Sequence, residues 1–204
     1  MAYEKQIGTY HLADNPQLYE IQRNNTYQFV VTGLDNIRVA GANATDKDSV
    51  IKNAEQVLRL SVNEAAIPHY TQQPVEVKRG NSTLKYAGVP SFDAGQFKFH
   101  DFIGARTKDV LMAWQNLSYD VRTEKVGSLD VTNYKKIAYL IEYTPDMRPV
   151  RVWKYYGCWI SGISEGSYSN ENGDKHLIDA TIQYDHAEVE LGNPLTDLGP
   201  TYRA

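Results

Sequence analysis

From Ile178 to Asp185 the chain reads IDATIQYD, apolar and polar residues in alternation. A period of two places Ile178, Ala180, Ile182 and Tyr184 on one face and Asp179, Thr181, Gln183 and Asp185 on the other. After Asp185 the apolar parity shifts to Ala187 and Val189, which predicts a bulge or edge near Asp185–His186 within a long strand over 176–190. A lone strand of this kind is unstable. It needs pairing partners and a second layer against its apolar face, so it commits the chain to a β fold.

The partners are legible upstream. Lys136–Tyr143 and Val150–Trp159 flank TPDMRP as a hairpin, with Pro145 and Asp146 in the turn and Pro149 where its missing N–H is tolerated. Thr26–Thr32 reads as the first strand, with Tyr27, Phe29 and Val31 on one face. Gln96–Phe102 is another, with Phe97 and Phe99 sharing a face. Val75–Arg79 alternates with Val75 and Val77 inward. Gly80–Gly95 reads as a long polar loop, and loops of that length are usually functional. Residues 33–45 are loop-like. Asp46–Gln56 has helical spacing and runs into an alternating Val57–Val62, with the boundary open. Lys108–Ser118 is the firm helix: Thr107 is its expected N-cap, and Val110, Leu111, Trp114 and Leu117 form its stripe. Residues 119–133 read as polar connection and SGISEGSYSNENGDK as a turn-rich crossing. Seven or eight strands and one helix predict a mainly β barrel or sandwich with a helix on its flank.

A length of 204 residues suits one domain with a real core. The net charge of −4 disfavours a nucleic-acid grip, which needs a basic face. Fifteen tyrosines suit strands and interfaces, where one end of the ring is apolar and the other wet. The only cysteine, Cys158, is expected as a packed core thiol. The opening MAYEKQIGTYHLADNP lacks a signal peptide's apolar region, and no apolar run approaches a membrane span, so synthesis in a reducing cytoplasm is expected.

Catalytic chemistry finds little footing. His176, Asp179, Asp185, His186 and Glu188 form the densest titratable group. On one strand, however, Asp179 and Asp185 stand about 20 Å apart at about 3.3 Å per residue, and no HExxH or CxxC spacing adds ligands. There is no G-x-S-x-G elbow, phosphate-binding glycine loop or aromatic–basic interleaving. No catalytic residue, metal or cofactor is expected. The Asp179/Thr181/Gln183/Asp185 face is either a solvated outer face or the wall of a channel along which a polyanion slides.

The run RVWKYYGCWISGISEGSYSNENGDKHLIDATIQYDHAEVE resembles the C-terminal core of tail tube proteins of contractile-tailed bacteriophages. That family shares its fold with type VI secretion tube proteins. Upstream, NPQLYEIQRNNTYQFVV is similar to the family's N-terminal arm and first strand, EAAIPHYTQQPVEVKRGNSTLKYAGVP to a strand and protruding loop that bridge subunits, and FKFHDFIGARTKDVLMAWQNL to its helix segment. Ile160 stands where the family usually carries a proline.

The resemblance implies a barrel of two packed antiparallel sheets with one flanking α-helix. It divides the chain into an arm over 1–25, the barrel over 26–191 with its inter-subunit loop 80–95 and helix 108–118, and a tail over 192–204. It implies a structural subunit whose hexameric rings stack into a tube inside a contractile sheath and conduct the genome. The expected partners are further copies of the chain, the sheath, the baseplate initiator and tail terminator, and the tape measure protein and genomic DNA in the lumen. No membrane insertion is implied. Its place is the virion tail, assembled in the host bacterial cytoplasm. Asp179, Thr181, Gln183 and Asp185 become lumen candidates. Trp114, Trp153, Trp159, Ile178, Ile182 and Tyr184 become core anchors, and Tyr19, Arg23, Asn81, Leu84 and Tyr86 inter-ring contacts. A tube initiator, tail-completion protein or secretion tube of the same fold is an alternative. A carbohydrate-binding sandwich would show an exposed Trp or Tyr platform, and a hydrolase would depend on His176 or His186.

Overall fold

The computed structural model describes residues 21–39, 50–165, 173 and 175–190. In chain order the elements are β1 (Tyr27–Thr32), β2 (Ile37–Arg38), β3 (Val50–Ile51), α1 (Ala54–Ser61), β4 (Val62–Glu64), β5 (Tyr70–Gln72), β6 (Val75–Arg79), β7 (Ser82–Tyr86), β8 (Pro90–Phe92) and β9 (Gly95–His100). Then come α2 (Thr107–Ser118), β10 (Tyr119–Asp120), β11 (Lys125–Val126), β12 (Lys136–Tyr143), β13 (Pro149–Glu165), β14 (Leu177–Gln183) and β15 (His186–Val189). Seven strands make one curled antiparallel sheet in the order β1-β12-β13-β14-β9-β4, with β15 also on β13. The fold is mainly β and barrel-like, as expected. Its two facing layers are halves of one sheet joined through the 17-residue β13, and it carries two helices rather than one.

β13 belongs to both layers because it is broken twice. Its first part lies between β12 and β15 and its last part beside β14. Register slips against β12 between Cys158 and Tyr155, and against β14 between Ile160 and Gly162. Bulges increase twist and bend the strand that carries them. Gly157, at φ +69, stands at the first of them. A Cβ there would overlap the Asp185 carboxylate, so only glycine fits both the left-handed backbone and the close approach. Asp185 itself sits in the expected break between β14 and β15, where its N–H donates to Tyr156 O at 2.9 Å.

The layers meet through aromatic rings. Phe29 of β1 lies 4.6 Å from Phe97 of β9 and 6.2 Å from Tyr155 of β13. Ile178, Ala180, Ile182 and Tyr184 are all buried among them, which matches the alternation of β14. Tyr155 is buried, and its hydroxyl donates to Ala66 O at 2.6 Å, satisfying the one polar atom it brings inside. Burial also pushes the Cys158 thiol up to about 12, as befits a core thiol. α2 contributes Val110, Leu111, Ala113 and the fully buried Trp114. A smaller cluster of Val30, Tyr139, Ile141, Tyr143 and Val152 gathers side chains on the opposite face of the first layer.

Several expectations give way. Val57–Ser61 is helix, because a 3.6-residue period puts Ala54, Leu58 and Ser61 on one buried face and leaves Leu60 outside. Thr107 does not cap α2. It is buried, its hydroxyl accepts from Phe102 N–H at 3.3 Å, and Arg106 holds the cap position at φ +55. Leu117 lies at the edge of the helix stripe and is exposed. Ser161–Glu165 continues β13 rather than turning, and residues 119–133 hold the small β10–β11 pair and a 3-10 turn over Val131–Asn133. The expected loop over 80–95 holds two strands: β6 pairs with β7 and β5 with β8 to form one two-stranded arm. Gly80 at φ +63 leads its two-residue tip, since Arg79 pairs with Ser82.

Candidate assembly surfaces

The arm leaves the barrel after β4 and returns at β9. Phe92 roots it, 5.4 Å from the Tyr70 ring and 6.0 Å from Tyr184 at the core. A Cβ on Gly88 would overlap Gln73 O, so the two strands cross closely at mid-arm. Beyond that point every residue of β6 and β7 is exposed. The registers Val75↔Tyr86 and Val77↔Leu84 put four large apolar side chains on one face. Val75 is 53% and Tyr86 56% exposed. Glu76 and Lys85, paired at 3.3 Å, occupy the other face. The expectation that Val75 and Val77 point inward is therefore corrected: a two-stranded ribbon standing off the barrel has no layer to bury them in. Asn81 lies at the arm's tip, Leu84 and Tyr86 lie on its apolar face, and Arg23 lies in the exposed bend before β1. Tyr19 lies outside the described residues.

The second surface is the outer face of the layer formed by the end of β13, β14, β9 and β4. Asp179 faces Lys98 across the ladder, and Thr181 faces Gln96. Lys98 Nζ contacts Glu64 Oε2 at 2.8 Å, and Thr181 Oγ1 donates to Gln96 Oε1 at 3.0 Å. The bond to Glu64 and its charge, with Asp179 adding to them, hold the Lys98 ammonium above its usual range. Asp179, Thr181 and Gln183 share this polar face. Asp185 lies past the end of β14, outside its ladder. The break in the strand turns it toward Gly157, where both carboxylate oxygens accept from Lys135 Nζ at 2.7 and 2.8 Å.

The expected anchors divide. Trp114, Ile178, Ile182 and Tyr184 are buried, and Trp153 is half-buried against the main core with its indole N–H donating to Glu142 at 2.8 Å. Trp159 is corrected. It pairs with Gln183, so it stands on the polar side of the sheet, half-covered by Tyr134 with ring centres 6.5 Å apart. Beside it lies a groove at the C-terminal end of α2, about 300 Å³, lined by Met112, Tyr119, Val121 and Trp159 among others. Val126 pairs with Tyr119 in the β10–β11 ladder and is 82% exposed. No sequence signal marked this groove, because β10–β11 is too short to show a period.

The chemistry of the histidines is local. His176 Nδ1 lies 3.5 Å from Asp101 Oδ2, and His186 stacks on Tyr156 at 4.4 Å. His176 precedes β14 and His186 opens β15. Among the described residues no group of three or more His, Cys, Asp or Glu could hold a metal ion, and no helix is long and apolar enough to cross a membrane.

No family model matches the sequence, and no curated protein matches it. Solved structures do resemble the fold. A chain of the anti-feeding prophage cap, the tube-terminating cap, aligns with a TM-score of 0.57 and 10% identity over 85% of this chain and 93% of that one. A chain of the sheath–tube complex of an extracellular contractile injection system aligns at 0.56 and 12% over 84% and 92%. A chain from that system's sheath/tube terminator aligns at 0.56 and 14% over 85% and 98%. At these identities the likeness is one of architecture, and this chain has the fold of the tube and tube-terminator proteins of contractile injection systems.

Proposed function

We propose that this chain is the structural subunit of a bacteriophage tail tube. Six copies close a ring, and rings stack into a hollow tube inside a contractile sheath that conducts the genome into the host. The observation that carries this reading is the arm: in a fold shared with tube proteins, β6–β7 holds four apolar side chains in water. A two-stranded ribbon is marginal by itself, so it needs a partner surface. Arg23, Asn81, Leu84 and Tyr86 are the proposed contacts between copies. The polar face bearing Asp179, Thr181 and Gln183 is the proposed lumen wall, where carboxylates repel phosphates and avoid the counterion-release affinity that would stall DNA. Asp185 serves the corner of β13 instead. The sheath, baseplate initiator, tail terminator and tape measure protein are the further partners, and the virion tail is the place of action. Such a subunit works without a cofactor and without catalysis.

Likeness to a tube-terminating cap and to a sheath/tube terminator supports a second reading, a terminator that closes a tube made by another chain. Electron microscopy of the purified protein, dilute and concentrated, separates them. Stacked rings in tubes of growing length are expected of the tube subunit, and single rings that never stack would favour the terminator. A monomer at every concentration would overturn both.

A further inference from the structure

The arm's apolar face needs a seat, and the groove at the end of α2 needs a cover. Their placement in the sheet relates them. The layer β13-β14-β9-β4 has two outer edges. The arm springs from one of them, between β4 and β9, next to Gly95. α2 runs along the other edge, its start tied to the end of β13 by Lys108 Nζ to Glu165 Oε2 at 2.7 Å and its end beside Trp159 and Ser161. Trp159 pairs with Gln183, and Ile182 pairs with Gly95, so arm root and groove lie at the same end of the layer. Three strand spacings of about 4.8 Å, roughly 14 Å, separate the two edges.

Complementary surfaces on opposite edges of one subunit make a head-to-tail contact, which closes into a ring when the rotation allows. Charge agrees with the pairing. Residues 75–86 carry three bases, Lys78, Arg79 and Lys85, against one acid, Glu76. Residues 119–131 carry three acids, Asp120, Glu124 and Asp130, against two bases, Arg122 and Lys125. The hydroxyls of Thr123 and Thr132, bonded to Asp120 and Asp130 at 2.6 Å each, help keep those two carboxylates ionised.

We infer that the β6–β7 arm of one copy seats its Val75, Val77, Leu84 and Tyr86 face on the Met112/Tyr119/Val121/Trp159 groove of the next copy in the same ring. The inference rests on the self-assembly reading above and makes the arm a lateral clasp rather than a contact between rings.

A cysteine pair tests it. Val77→Cys and Val121→Cys in one chain place thiols on both surfaces, while buried Cys158 stays out of the reaction. Mild oxidation with copper–phenanthroline, followed by denaturing gel electrophoresis without reductant, is expected to give a ladder that ends at six chains. A ladder that runs past six would show an axial seat and overturn the lateral assignment. Rings seen by electron microscopy with no crosslink would overturn the seat and leave the ring reading intact. Loss of rings in the unmutated protein would overturn both. Val77→Asp and Val121→Asp serve as second variants. Each is exposed, so the far-ultraviolet circular dichroism should stay unchanged while ring yield falls at least tenfold. Rings formed at full yield by both would also refute the seat.

Discussion

Gly157→Ala interrogates the corner that lets one sheet form two layers. The backbone there is left-handed, at φ +69, and a non-glycine residue in that region costs about 1–2 kcal/mol. The added methyl would also overlap the Asp185 carboxylate, so Asp185 must move and release Lys135. Lys135 is 27% and Asp185 53% exposed at the side chain, so solvent screens the pair and its loss costs about 0.5 kcal/mol. The variant should therefore lose about 2–3 kcal/mol once the displaced side chain is included. Asp185→Ala alone should lose about 0.5 kcal/mol. The double variant has no carboxylate to displace and gives up the ion pair once, so it should lose about 0.5–1 kcal/mol less than the two single losses added together. Urea unfolding at a concentration where the protein is monomeric reads all four corners of the cycle. A loss under about 0.5 kcal/mol for Gly157→Ala, or strict additivity, would refute the account of the corner.

Phe97→Ala removes the ring that joins the two layers against Phe29 and should cost about 3–5 kcal/mol in the same urea assay. Tyr155→Phe strips a buried hydroxyl from Ala66 O and should cost about 1–2 kcal/mol, with the orphaned carbonyl the cause. Stability should fall as the solution becomes alkaline. The folded Cys158 thiol is raised from 9.0 to about 12, so above pH 9 the unfolded chain releases a proton that the folded chain keeps. Stability then drops by about 1.4 kcal/mol per pH unit until pH approaches 12, and Cys158→Ala should flatten that slope in pH-dependent melting. On the proposed tail-tube reading, Asp179→Lys with Thr181→Lys should leave rings visible by microscopy while lowering infectivity of phage carrying them, and loss of rings would assign that face to an interface instead of the proposed lumen.

The period of two was the reliable guide wherever a strand had a buried face. β14 shows it in Ile178 to Tyr184, and the parity shift at Asp185 located the break. The β12–β13 hairpin was legible for the same reason. The arm was half legible. Its alternation in Val75 and Val77 was seen, yet alternation says only that a strand has two faces and not that either is buried. The partner strand β7 hid inside a stretch whose glycines and polar residues read as loop. α1 was misread where Leu58, Leu60 and Val62 satisfy a period of two locally while Ala54, Leu58 and Ser61 satisfy the helix. Trp159 escapes simple parity because the register slip at Gly157 puts Cys158 and Ile160, not Trp159, on the buried face that Tyr155 shares. The groove at the end of α2 depends on residues 112, 121 and 159 meeting in space, which no local pattern encodes.

Among the described residues no strand pairing closes the sheet between β1 and β4. What spans that opening is the Tyr27 hydroxyl, donating to Asn63 O at 2.7 Å, and the short α1, which lays Ala54 and Leu58 on the core. Along β13 the two layers share a continuous backbone, while on the opposite side the described residues join them through side chains: the Tyr27 phenol, the Phe29–Phe97 ring pair and α1. A subunit joined in this way is a spring clip. Load along the strands passes through the continuous backbone of β13, whereas load that spreads the walls meets a seam held by side chains. In the ring proposed above, any adjustment of curvature between neighbouring copies would fall on that gap before it touched a strand pairing of the sheet.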